Sequence, residues 1–145
     1  MEIITVYRLE HVETRLGPFR SDARDVYDET LPSNEDDDAV HRSCGDGPSP
    51  YDMLEDDTEL SDFWRKGEGT DAYYFGFISL RSFHSWFDHG PGRVALQGCG
   101  IVLAEYVVPR ENVLMGYVQL AFERAEAAHI ADHPVTITTA LPVCI

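Results

Sequence analysis

The stretch that decides the fold is IVLAEYVVPRENVLMGYVQLAF, residues 101–122. Residues 101–108 are aliphatic and β-branched with one charge, Glu105, and read as a strand that Pro109 halts. After the polar Arg110, Glu111 and Asn112, residues 113–122 read as another strand. Period-two alternation there sets Leu114, Val118, Leu120 and Phe122 on one face and Tyr117, Gln119, Ala121 and Glu123 on the other. Two strands joined by so short a loop predict an antiparallel meander.

Outward from this pair, residues 123–132 are rich in Ala and Glu and favour a helix, and residues 134–140 return to strand composition. Upstream, residues 71–77 form a short aromatic strand. Ser79 then caps a helix that carries Leu80, Phe83, Trp86 and Phe87 at three-to-four-residue spacing, and His89, Gly90, Pro91 and Gly92 stop it. Residues 3–9 make the first strand, with Ile4, Val6 and Arg8 on one face. Strands dominate the second half without regular strand–helix alternation, which predicts an α+β fold. A chain of 145 residues fits one domain spanning 1–145, built on a mixed, mostly antiparallel sheet with a few helices.

The charge is concentrated. The chain has 11 Lys and Arg against 26 Asp and Glu, a formal net charge of −15. Residues 22–71 hold 17 of the carboxylates and four of the cations, Arg24, Arg42, Arg65 and Lys66. Pro, Gly, Ser and Asn punctuate this stretch, so it reads as an acidic, loop-rich insertion at about 21–71. Apolar residues such as Val26, Tyr51, Leu60 and Trp64 recur within it, and it is expected to pack onto the body of the domain.

This balance argues against direct nucleic-acid binding, which draws on Lys, Arg and amide donors, and points to a basic partner. Asp36, Asp37, Asp38, Glu55, Asp56 and Asp57 are the candidate partner-binding residues, because clustered carboxylates can fill a groove built for phosphates and speed capture of its owner. No apolar run approaches the roughly 20 residues that span a bilayer, and no basic segment precedes an apolar one at Met1, so the expected location is the cytoplasm, with no membrane partner.

Cys44, Cys99 and Cys144 are widely spaced and form no C-x-x-C pair, which disfavours disulfides and a cysteine zinc site. Cys44 near His41 reads as a loop thiol. On the expected last helix, Glu126, His129 and His133 share a face, a permissive spacing that in an Ala-rich helix is ordinary solvated polarity, and no metal is assigned.

Arg8 on the first strand, Ser79 after the aromatic strand, and Gln119 or Glu123 late in the chain are the polar intrusions into these apolar patterns. Together they could hold a dinucleotide. The segments 6–11, 75–80 and 106–114 resemble the spaced strands of ADP-ribosyltransferase-like domains. That resemblance implies NAD as substrate and roles for Arg8, Ser79 and either Gln119 or Glu123 in holding and activating it, although the usual late Q-x-E or E-x-E pair is missing. Segments 7–20, with Gly17, Pro18 and Phe19, 75–87 and 106–122 also resemble small uncharacterised phage proteins.

The leading expectation is a phage-type inhibitor of a host nucleic-acid-processing defence system of the CRISPR or restriction kind. It would act in the bacterial host cytoplasm on a basic protein or ribonucleoprotein complex, with no cofactor. The alternatives are an NAD-dependent ADP-ribosyltransferase-like enzyme that modifies a host protein, and a non-catalytic phage accessory or assembly protein.

Overall fold

The computed structural model describes residues 2–17, 57–67, 69–87, 90–117 and 119–137. Ile3–His11 forms β1, two residues longer than its apolar pattern suggests, and pairs antiparallel with β3, Ile101–Pro109, from Ile3 opposite Pro109 to His11 opposite Ile101. Pro109 is the last residue of β3. Beyond β3 lies β6, Ala128–His133, also antiparallel, with a bulge between Glu105 and Tyr106. A second three-stranded antiparallel sheet has the order β2–β5–β4, made of Tyr73–Gly76, Leu120–Glu123 and Val113–Met115.

The two sheets join where Tyr7 and Phe77 exchange backbone hydrogen bonds of 2.8 Å each way. Gly76 makes this approach feasible, because a Cβ there would stand 2.6 Å from Val6 Cγ1 and 3.0 Å from the Tyr7 carbonyl oxygen. The α+β class is as expected, with the strands divided between two sheets.

Among the described residues, three helices cover this frame. α1, Glu59–Lys66, lies in the described part of the acidic stretch; Thr58 caps it, acids sit in its first turn and bases in its last, and Leu60 is fully buried against Ala121. α2, Leu80–Trp86, begins at Ser79, whose hydroxyl accepts from the Ser82 N–H at 3.1 Å, as the sequence suggested. α3, Gly90–Gly98, corrects one expectation: Gly90, Pro91 and Gly92 separate two helices by opening the second. Proline suits the first turn of a helix, where its missing N–H would have no partner, so the signal read as a stop is equally a start.

Three further expectations give way. Residues 113–122 are two strands, since the Gly116 N–H donates to the Gln119 carbonyl at 3.0 Å and turns the chain between β4 and β5. The meander is therefore β4–β5, not β3–β4. Leu114 pairs with Ala121 and packs beside Leu60, while Leu120 and Phe122 face the opposite way.

Residues 123–132 are no α-helix: Arg124–Glu126 is one 3₁₀ turn and β6 follows. Helix propensity is worth tenths of a kcal/mol per residue, and the ladder to β3 outweighs it. Pro134 to Ile137 is a turn closed by the Ile137 N–H on the Pro134 carbonyl, where a strand was expected; residues 138–140 lie outside the described residues.

The β1–β3–β6 sheet is covered on both faces. On one, Leu9, Ile101 and Leu103 meet Phe77, Leu80, Phe83, Phe87 and Leu96 of the helical layer. On the other, Val6, Ala104, Tyr106 and Val108 meet Val113, Leu120 and Phe122. Phe83 sits at the centre of an aromatic group, 6.0 Å from Phe77 and 5.7 Å from Phe87 by ring centroid. Phe83→Ala is expected to cost about 3–5 kcal/mol in chemical denaturation. Val94→Ala, on the exposed side of α3, should stay within about 0.5 kcal/mol.

Candidate functional site

Period-two geometry sets Val6, Arg8 and Glu10 on one face of β1. Val6 is core, so the two charges continue an apolar row into the interior. Glu10 is fully buried. A charge there needs partners, and three converge on it. Arg8 Nε lies 3.4 Å from Oε2, Arg15 Nη1 lies 3.2 Å from Oε1, and the Tyr106 hydroxyl donates to Oε1.

Arg8 also donates from Nη1 to the Phe75 carbonyl at 3.0 Å, and its guanidinium stacks 4.6 Å from the Tyr74 ring centroid. Arg15 grips Asp132 of β6 with two hydrogen bonds, 2.8 and 2.9 Å, and His129 Nε2 lies 2.8 Å from the same carboxylate. Arg124 lies over the Tyr106 ring at 4.4 Å. The result is a polar cluster, running from buried Glu10 through Arg8, Tyr106 and Arg15 to exposed Asp132, that ties β1, β3 and β6 together.

The electrostatics follow from this packing. Burial and the neighbouring Glu10 carboxylate push the Tyr106 hydroxyl far above its ordinary range. Burial lowers Arg8 from its usual value, with Glu10 opposing that effect. The Arg15 hydrogen bonds hold Asp132 down at about 2. On the helix-facing side, His133 Nε2 meets Glu105 Oε1 at 2.7 Å, and His84 takes a 2.6 Å contact from Arg93. Burial, then the Arg93 charge, lowers the His84 pKa.

The four residues assigned to a dinucleotide site fall as follows. Arg8 is in the buried cluster just described. Ser79 is occupied with the α2 cap and with Ser82 Oγ at 3.1 Å. Gln119, 7% exposed, immediately precedes β5, and Glu123 ends β5, accepting from Asn112 Nδ2 at 3.0 Å.

The registers bring three of them to one junction. Tyr7 bridges Phe77 and Gly76 pairs with Leu120, so Arg8, Ser79 and Gln119 lie within two residues of one line across β1, β2 and β5, with Arg8 and Ser79 on opposite sides of it. Glu123, opposite Tyr73, is four residues along, or roughly 13 Å at strand rise.

Among the candidate partner-binding residues, Asp36, Asp37, Asp38, Glu55 and Asp56 lie outside the described residues, and Asp57 is exposed. His129 and His133, expected on one helix face, lie on β6 with separate carboxylate partners. No group of three metal-ligating side chains occurs among the described residues. No described helix is long and apolar enough to cross a membrane.

Glu10, Arg15, Tyr106 and Asp132 were not singled out from sequence. The alternation Val6, Arg8, Glu10 within an apolar strand was the available signal for Glu10. Nothing local marked Arg15 or Asp132, which are 117 residues apart.

An α+β frame with a split antiparallel sheet and a buried ionic cluster at its seam defines the class of this protein. Residues 1–136 match the model of the family described as Bacteriophage T4 Y00F protein, and the chain belongs to that family. The phage resemblance of its segments accords with this membership, and the family description names no activity. No curated protein and no solved structure matches the chain.

Glu10→Gln is expected to destabilise the protein by about 3–5 kcal/mol, because it strands the Arg8 cation in the interior; urea unfolding measures this. Asp132 has a depressed pKa, so its contribution is complete above the ordinary aspartate value of about 3.9 and fades as pH falls through about 2. The melting-temperature deficit of Asp132→Asn relative to the parent should therefore be full at neutral pH and shrink across that acid window.

Proposed function

We propose that the protein is an ADP-ribosyltransferase-like phage factor that takes NAD at the junction of β1, β2 and β5. The observation that carries this reading is the adjacency of those three strands, with Arg8, Ser79 and Gln119 at their meeting point. A dinucleotide is held by residue types of this kind: a guanidinium for phosphate, and a hydroxyl and an amide for ribose.

Gln119 suits the late position better than Glu123, which lies four residues along at the other end of β5. In the reaction, the bond between nicotinamide and ribose C1′ breaks, a nucleophile of a host protein bonds to C1′, nicotinamide leaves with the bonding pair, and the acceptor's proton passes to solvent. An amide at position 119 bonds ribose hydroxyls but adds no negative charge to stabilise the cationic sugar, so binding is expected to be firmer than transfer is fast.

NAD at saturating concentration is expected to raise the melting temperature of the parent, and Arg8→Lys, which keeps the charge but loses the planar fork, should shrink that rise. If millimolar NAD leaves the parent's melting temperature unmoved, the reading fails.

A second reading is supported by charge. Residues 18–56 alone carry twelve carboxylates and three arginines, an uncompensated surplus suited to a basic host complex of the nucleic-acid-processing kind. Alanine at Asp36, Asp37, Asp38, Glu55, Asp56 and Asp57 should then slow association with such a complex and flatten its salt dependence, as measured by surface binding kinetics at varied salt. Unchanged kinetics and salt slope would remove this reading.

A further inference from the structure

The chain leaves β1 at His11 and doubles back over it. The His11 N–H donates to the Leu16 carbonyl and the Arg15 N–H to the His11 carbonyl, both at 2.8 Å, while Val12 N–H reaches the Gly100 carbonyl at 2.9 Å. Gly17, buried at the end of this turn, lies against Arg8: a Cβ at position 17 would stand 2.9 Å from Arg8 Nη2. Residues 12–17 thus roof the guanidinium, whose side chain is 13% exposed.

Little apolar burial holds this roof in place. Val12 and Leu16 are 41% and 40% exposed. Arg15 takes φ 59°, a left-handed conformation unfavourable to a side chain with a Cβ. The compensating attachment is the Arg15 guanidinium, doubly bonded to Asp132 and paired with Glu10.

We infer that residues 12–17 are a strap over Arg8, clasped by Arg15 to Asp132, and that release of the clasp opens the Arg8 guanidinium to an anionic group of a ligand. The identity of that group as a phosphate of NAD rests on the reading above; the strap itself does not.

A segment held by hydrogen bonds and a polar clasp, with its apolar side chains half exposed, opens at lower free energy than the strand it covers. The cation beneath would then exchange its contact with Gly17 for water or for an anion, while Glu10 and the Phe75 carbonyl keep it oriented. Glycine at position 17 fits this role, because a side chain there would press on Arg8 even with the strap closed.

Phenylglyoxal modification of the full chain, followed by peptide mass mapping, tests this. In the parent, Arg8 should react far more slowly than Arg81, which is exposed on α2. In Arg15→Ala and in Asp132→Asn, Arg8 should react about tenfold faster, with Arg93 at the α2–α3 contact unchanged as a control for global loosening.

The strap is overturned if Arg8 in the parent reacts as fast as Arg81, if neither variant accelerates it, or if Arg93 accelerates in parallel. NAD titrations of the same variants separate the two ideas. Tighter binding than in the parent supports strap and dinucleotide together, whereas faster Arg8 labelling with no NAD binding in any form keeps the strap and removes the dinucleotide.

Discussion

The fully buried carboxylate of Glu10 is the constraint on which the rest of the structure depends. An unpaired anion in a protein interior costs several kcal/mol, so the chain around it must supply cations and donors at fixed positions. Arg8 does so from two residues away on the same strand, Tyr106 from β3, and Arg15 from the turn that follows β1. These attachments also fix register. A slip of one residue between β1 and β3 would turn Arg8 and Glu10 into the apolar layer of Phe83, Phe87 and Leu96.

The β1–β3–β6 sheet therefore has two distinct faces and, on one of them, two distinct ends. The helix-facing side is closed by aromatic and aliphatic packing around Phe83, and nothing on it needs to move. The opposite side begins as a core of Val6, Tyr106, Val108 and Phe122 and passes within two residues of β1 into the ionic cluster. Tyr106 serves both, its ring against Phe122 and its hydroxyl on Glu10. The seam where β1 meets β2 borders this transition.

Charge is unevenly distributed along the chain. The carboxylate surplus lies mainly in residues 18–56, whereas Arg8, Arg15 and Arg124 gather around Tyr106 with Glu10 and Asp132. The two readings of function draw on these two sets of residues: one on a buried cationic element suited to a phosphate, the other on a surplus of carboxylates in the sequence suited to a basic partner. Membership of a bacteriophage family is compatible with either.

Local pattern was sufficient wherever the partner of a segment did not matter. The β-branched run of β1, the apolar run of β3, the Ser79 cap and the aromatic spacing of α2 are all readable because strand alternation and helix capping act within a few residues. The α+β class follows from them. Pairing decided the rest. Residues 128–133 have helix-forming composition but become a strand because β3 offers an open ladder, and residues 113–122 break at Gly116 because β4 and β5 pair with each other. Arg8 and Glu10 were visible as intruders in an apolar strand, but their meaning depended on Arg15, Tyr106 and Asp132, brought in from as far as 117 residues away. Sequence alone fixes which segments are extended and where charge must be reconciled with burial; tertiary structure chooses the partners, because hydrogen-bond ladders and buried ion pairs are satisfied by whatever the fold brings within reach.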